Sequence, residues 1–307
     1  VPQAAYLALL QSGELEKRAQ AALERLVACD ICPRQCGVNR LQGELGECHT
    51  GSEAIVASVQ PHFGEEQPLV GTGGSGTIFF TWCNLHCQYC QNDTISQLGE
   101  GVPLGAQRLA ELMLTLQHRR CHNINFVSPS HVVPQILAAT LIAARQGLRV
   151  PLVYNTGGYD RLETLALLDG VFDIYMPDMK YADAEVAERY SQVKDYPAIN
   201  QAAVREMHRQ VGDLVVDERG IAVRGLLVRH LILPQGLAGT AEVVCFLAGL
   251  SRDTYLNLMD QYRPCYKARS LPPFDRRITV PEYEEAVRLA HQAGLYRLDE
   301  RTRLPGL

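Results

Sequence analysis

The strongest constraint on the fold is a rhythm. Six short apolar runs punctuate the chain: "TIFFTW" from Thr77, "INFVS" from Ile124, "PLVYN" from Pro151, "FDIYM" from Phe172, "LLVRHLIL" from Leu226 and "YLNLMDQY" from Tyr255. Between them lie amphipathic stretches such as "AQRLAELMLTLQHRR", "VVPQILAATLIAARQG", "RLETLALLDG" and "AEVVCFLAGLS". Runs of that length with polar or glycine punctuation read as strands, and the spacers read as helices that carry the chain back along the sheet. The product is a series of βαβ units and a parallel sheet. Six units are too few for a closed eight-stranded barrel and suit either an open doubly wound sheet or a partial barrel. In both, reactive groups collect at the C-terminal ends of the strands.

The segments outside this rhythm set the remaining organisation. "YLALLQSGELEKRAQAALERLVA" (Tyr6 to Ala28) has helical period and divides near Ser12-Gly13, where glycine interrupts it. A cysteine- and glycine-rich stretch follows to about Gly51. A longer helical insertion is expected over 181–212, and a last helix from Pro281 to Gly294. Residues 1–70 are thus expected to form a helical, cysteine-rich extension, and residues 71–307 the β–α body.

Composition decides which chemistry the cysteines serve. With 47% hydrophobic and 21% charged residues the 307-residue chain has the mass for a large core. A net charge of -5 and the absence of any lysine or arginine run argue against nucleic acid as a partner. No apolar stretch reaches the ~18 residues of a membrane span, and the opening "VPQAAYLALLQSGELEK" lacks the order of a signal peptide. A cytoplasmic protein is expected, in which clustered cysteines are metal ligands or catalytic groups rather than disulfides. Seven of the ten cysteines fall in two clusters before residue 91, while Cys121, Cys245 and Cys265 are scattered and read as small packing residues.

"TWCNLHCQYCQND" directly follows the first of the six strands. Its Cys83, Cys87 and Cys90 form C-x3-C-x2-C, with Tyr89 before the third. A cubane iron–sulfur cluster normally takes four thiolates, so three in one loop leave one iron open for a ligand. The alternative is zinc with a fourth ligand from His86 or a distant cysteine. Upstream, "CDICPRQCGVNRLQGELGEC" places Cys29, Cys32, Cys36 and Cys48 as C-x2-C-x3-C-x11-C, with Gly37, Gly43 and Gly46 for tight turns. Four thiolates complete a closed site for zinc or a second iron–sulfur cluster, and the alternative without metal is four reduced structural cysteines or a redox pair within C-x2-C. "GTGGSG" at Gly71–Gly76 matches a dinucleotide fingerprint in letters but precedes a strand, which is the wrong placement. It is expected to be a flexible approach loop that brings the chain near the three-cysteine site. His62 is a candidate for the substrate entrance, and His118 and His122 read as a solvated helix end.

The three-cysteine loop resembles the C-x3-C-x-aromatic-C signature of the radical S-adenosylmethionine (SAM) superfamily, matched by Cys83, Cys87, Tyr89 and Cys90. The resemblance implies a partial (β/α)6 barrel and a [4Fe-4S] cluster whose open iron takes the amino and carboxylate groups of SAM. It further implies reductive cleavage of SAM to a 5′-deoxyadenosyl radical that abstracts hydrogen from a substrate. "DIYMPDMKY" is similar to the D-x-K element of glycyl-radical-enzyme activases, which makes Asp178 and Lys180 SAM contacts. Arg229 in "LLVRHLILP", Asn155 in "VYNTGGY", Ser128 in "INFVSPSH" and Tyr89 join them on the same ground. The G-G-E element of many such enzymes is missing, since "INFVSPSH" carries no acidic residue, so the SAM amino group must be held differently. From about Cys29 onward the chain resembles a subgroup named after pyruvate formate-lyase activating enzymes. That implies a glycine on a partner glycyl radical enzyme as substrate, and an electron donor such as flavodoxin or ferredoxin. Radical modification of another protein, peptide or small metabolite is one alternative, and a non-catalytic iron–sulfur or zinc protein for electron transfer or assembly is the other.

Overall fold

The computed structural model describes residues 3–299. Its strands are β1 (Ala54–His62), β2 (Ser75–Phe80), β3 (Val102–Leu104), β4 (Ile124–Val127), β5 (Leu152–Thr156), β6 (Ile174–Pro177), β7 (Val215–Val216), β8 (Ala222–Leu231) and β9 (Tyr255–Met259). The helices are α1 (Tyr6–Ser12), α2 (Glu14–Glu24), α3 (Gln67–Val70), α4 (Asp93–Ser96), α5 (Ala106–His118), α6 (Val133–Arg145), α7 (Leu162–Leu168), α8 (Ala184–Ser191), α9 (Tyr196–Val211), α10 (Thr240–Leu250) and α11 (Val280–Ala293).

The six apolar runs are β2, β4, β5, β6, β8 and β9, and each pairs with the next in parallel. This is the partial (β/α)6 barrel, with the cysteine-rich segment before it. Three further strands escaped the rhythm: β1 and β3 extend the β2 edge antiparallel, and the two-residue β7 borders β8. Beyond β1, residues 1–70 also supply α1 and α2, whose core residues join the main apolar cluster that also contains α5, α6 and strand residues.

Period-2 alternation builds the two faces of the sheet. Ile78, Phe80, Ile124, Phe126, Leu152, Tyr154, Tyr175, Leu226, Val228, Leu256 and Leu258 share one apolar cluster with the helices. Val153, Ile174, Met176 and Leu227, of the other parity, form a separate small cluster with Leu69 of α3. That second cluster plugs the barrel from within. Asn155, Asp178 and Arg229 continue the inner parity toward the C-terminal strand ends, so apolar packing below gives way to charge above.

The glycine stretch lies elsewhere than expected. Gly71–Gly74 sit at the start of β2, whereas the cysteine loop leaves its far end. A Cβ on Gly73 would fall 2.0 Å from the Arg120 carbonyl oxygen, so glycine there permits close packing on the 120–123 turn. His62 pairs with Ser75 at that same end and cannot line the cysteine-loop cavity. His122 is half-buried and accepts the Gly73 N–H at 3.0 Å, while His118 is exposed as expected. Among the described residues no helix is long and apolar enough to cross a membrane.

Candidate active site at the three-cysteine loop

The chain leaves β2 through Trp82, whose φ of 67° turns it sharply into the cysteine loop. Cys83, Cys87 and Cys90 line one solvent-open cavity together with Ser128, Asn155, Asp178, Lys180 and Arg229. Five of the six residues assigned to SAM from sequence therefore meet the three thiols. The sixth, Tyr89, is turned away: its ring is buried, stacked on Phe274 at 5.3 Å and edge-on to Tyr181 and Tyr262. It anchors the loop by packing instead of facing the cavity.

The thiols are held by groups within the loop and beyond it. Ser191, at the end of α8, donates to Cys87 Sγ at 3.0 Å, and Ser96 Oγ lies 3.0 Å from Cys90 Sγ. The Leu85 N–H donates to Cys83 Sγ at 3.4 Å. Further bonds from the His86 and Gln88 N–H groups to the Ser191 and Tyr190 carbonyls seat the loop on the helical insertion. Burial pushes the free Cys83 thiol up to about 12, and it raises Cys87 as well. A bound cation is what turns such thiols into thiolates near neutral pH.

Opposite the cysteines stands a charged trio. Lys180 Nζ lies 2.5 Å from Asp178 Oδ2, and Arg229 Nε donates to Asp178 Oδ1 at 2.8 Å. A second Arg229 nitrogen reaches Asn155 Oδ1 at 2.7 Å, leaving the Asn155 amide N–H groups for a ligand. Burial alone would raise the Asp178 carboxyl, but Arg229 and Lys180 outweigh it and hold it below the usual carboxylate range. Asp178 fixes the two cations at the cavity wall, where their remaining N–H groups can donate to a ligand carboxylate.

Backbone conformation completes the rim. Ser128 has φ 59°, in the left-handed region that favours glycine, and its N–H donates to the Asn155 carbonyl at 2.9 Å. After β5, Gly158 has φ 76°, and a Cβ there would stand 2.3 Å from the Asp178 carbonyl oxygen. Tyr196 from α9 bridges the turn, donating to Gly157 O at 2.8 Å and accepting the Lys180 N–H at 3.0 Å.

Sequence reasoning missed Glu65 and Glu66, which are buried behind the trio with carboxylate oxygens 3.9 Å from Arg229 Nη1. Burial and the neighbouring Glu66 push the Glu65 carboxyl up to about 7. A paired glutamate just before a helix-opening proline was the available signal. No sequence signal marks Ser191, which arrives from an insertion 104 residues away.

Among the described residues, no three His, Cys, Asp or Glu side chains converge to hold a single metal ion. A cluster asks for something else. It takes one thiolate per iron, so its sulfurs stand farther apart than the ligands of one ion. Three cysteines around an open cavity fit that donor pattern.

A family model described as a 4Fe-4S single cluster domain matches residues 69–147, which include this loop. Among solved structures, a radical SAM methyltransferase from Sphaerobacter thermophilus is similar at 15% identity and a TM-score of 0.49, covering 72% of this chain and 64% of that one. A structure of native anSMEcpe with bound AdoMet is similar at 11% identity and a TM-score of 0.45, covering 69% and 57%. Both likenesses are distant, and the chain spans less than two thirds of either protein. An uncharacterized protein of Methanocaldococcus jannaschii, MJ0674, is 32% identical over 291 residues, 92% of this chain and 79% of that protein. At that identity and coverage, the chain belongs to the same family as the Methanocaldococcus protein.

Proposed function

We propose that the chain is a radical SAM enzyme, with a [4Fe-4S] cluster held by Cys83, Cys87 and Cys90 and SAM bound beside it. The observation that carries this reading is the meeting, in one cavity, of three thiols from a single loop with Asp178, Lys180, Arg229, Asn155 and Ser128. When bound, the cluster and SAM supply one-electron cleavage of the sulfonium bond and a 5′-deoxyadenosyl radical that takes a hydrogen atom from the substrate.

The chain's own residues bind, orient and exclude water. Lys180 and Arg229 offer their charge to the SAM carboxylate, and Asp178 fixes both cations so that neither must reorganise when the ligand arrives. With no G-G-E element, Asp178 is the carboxylate among the cavity-lining residues that can accept from the SAM amino group. Tyr89, Tyr181, Tyr262 and Phe274 pack behind the loop and keep water from the thiols on that side.

For substrate we infer a glycine on a partner glycyl radical enzyme, supported by the activase-like D-x-K element at Asp178 and Lys180. Another protein, a peptide or a small metabolite is the competing target. A flavodoxin- or ferredoxin-class donor in the cytoplasm is the reductant this reading needs.

The test is electron paramagnetic resonance (EPR) of the reconstituted, reduced protein with and without SAM. A cluster signal that shifts on adding SAM supports an open iron taking the ligand. A signal indifferent to saturating SAM overturns the reading. A glycyl radical appearing on an added candidate enzyme decides the substrate, and its absence with product formed on another target decides against the activase role.

A further inference from the structure

The four N-terminal cysteines serve no purpose in the site just described, yet the fold gathers them. Cys29, Cys32, Cys36 and Cys48 line one cavity with Arg34, Arg40 and His131. None is in a disulfide. The backbone closes the loop: the Gly37 N–H donates to Cys29 O and the Cys29 N–H to Val38 O, both at 2.9 Å. A Cβ on Gly46 would stand 2.8 Å from Cys36 Sγ, so only glycine lets the Cys48 segment close on Cys36.

The walls of this cavity carry polar atoms with nothing to bind. Arg34 Nη2 and Arg40 Nη2 are buried donors without a partner, and Arg40 is 1% exposed. His131, also 1% exposed, donates from Nε2 to the Thr81 carbonyl at 3.0 Å, so its buried, unpaired Nδ1 is an acceptor and stands apart from the two orphaned donors. Buried donors left without a partner are costly unless something in the cavity answers them. The thiols already attract donors, with Arg40 Nη1 3.8 Å from Cys29 Sγ and the Glu47 N–H 3.4 Å from Cys36 Sγ.

A cubane cluster with four thiolates is doubly negative, and its inorganic sulfides add acceptors for the two guanidinium groups. Zinc tetrathiolate is also doubly negative but adds no acceptor, and it needs all four sulfurs about 2.3 Å from one point.

The two cysteine loops touch. The Trp82 ring lies 4.7 Å from the His49 ring, Arg34 Nε donates to Asn84 O at 3.0 Å, and His86 Nε2 lies 2.9 Å from Glu47 Oε1. Each contact joins a neighbour of Cys83 or Cys87 to a residue of the N-terminal loop.

We propose that Cys29, Cys32, Cys36 and Cys48 hold a second, fully ligated [4Fe-4S] cluster that relays single electrons to the centre at Cys83, Cys87 and Cys90. A low-potential flavin or iron–sulfur protein gives it one electron, and it returns to its oxidised form on passing that electron inward. No bond forms or breaks and no proton moves. The second cluster stands independently of the radical SAM reading; the relay rests on it.

Protein reconstituted anaerobically with iron, sulfide and zinc together is expected to hold about eight iron and eight sulfide per chain. The triple variant Cys83→Ala/Cys87→Ala/Cys90→Ala is expected to keep about four of each, as is Cys32→Ala/Cys36→Ala. Wild-type protein with about four iron, with or without one zinc, overturns the second cluster when the Cys83→Ala/Cys87→Ala/Cys90→Ala variant loses that iron and Cys32→Ala/Cys36→Ala keeps it. A wild-type count of about eight supports both clusters without recourse to a variant. Eight iron without SAM cleavage would sink the radical reading and leave the second cluster standing. For the relay, freeze-quench EPR is expected to show that Cys32→Ala/Cys36→Ala loses reduction by flavodoxin or ferredoxin but keeps reduction by titanium(III) citrate. Unchanged reduction by the protein donor, or equal loss with both reductants, overturns it.

Discussion

Replacing Asp178 by asparagine keeps the shape of the site and removes the charge between two cations. Lys180 and Arg229 approach that carboxylate at 2.5 and 2.8 Å, with side-chain exposures of 17% each against 13% for Asp178. At such separations, with the effective screening of a partly buried site, each attraction is worth about 6–7 kcal/mol gross. Desolvation of the carboxylate offsets much of this. Breaking a buried pair by removing one partner typically costs about 3–5 kcal/mol net, because the stranded charge has nowhere to go. Asp178→Asn is therefore expected to lose about 3–5 kcal/mol of stability in urea titration, or roughly 6–10 °C in Tm for a chain of this size. The double variant Asp178→Asn/Lys180→Met removes the cation left without its carboxylate, Arg229 keeping Glu65 and Glu66 at 3.9 Å, and is expected to recover about half of that loss. A loss below about 1 kcal/mol for Asp178→Asn would refute the reasoning, since the trio would then behave as a screened surface network.

Two further perturbations probe the supports of the site. His230 is buried between the Met179 carbonyl at 2.6 Å and Thr240 Oγ1 at 3.0 Å, and burial pulls its pKa from 6.5 down to about 4. As pH falls below 6.5 the unfolded chain takes up a proton that the folded chain refuses until about 4, so stability is full above 6.5 and falls below it. The loss is expected to reach about 2 kcal/mol by about pH 5 in urea midpoints and to flatten in His230→Asn; an identical pH slope in that variant contradicts the assignment. Gly158→Ala must place a Cβ at φ 76° and 2.3 Å from the Asp178 carbonyl oxygen, and is expected to cost roughly 2–4 kcal/mol. A near-neutral result would show that the turn after β5 yields without disturbing Asp178.

Much of this architecture was legible because the barrel repeats one physical rule. Each of the six parallel strands alternates apolar residues, and on β5, β6 and β8 the inner parity ends in Asn155, Asp178 with Lys180, and Arg229. Polar residues at such ends are what a strand pattern can reveal. The edge strands were not legible: β1 runs "AIVASVQPH" with mostly half-exposed residues, and β3 and β7 have three and two residues, too short for any period to appear. Tyr89 shows the limit of a motif. Its place beside Cys90 is fixed, but the motif alone does not say that its ring turns into an aromatic cluster with Tyr181, Tyr262 and Phe274 instead of into the cavity. The docking of the two cysteine loops lies further beyond reach, because Arg34 and Asn84 are 50 residues apart and no periodicity links them.

The central claim is that three thiols in one loop make a radical-generating site, and the most direct measurement is 5′-deoxyadenosine. Anaerobically reconstituted protein, reduced and given SAM, should yield 5′-deoxyadenosine and methionine, and Cys87→Ala carried through the same treatment should yield none. Fully loaded, reduced wild-type protein that leaves SAM intact would contradict the account.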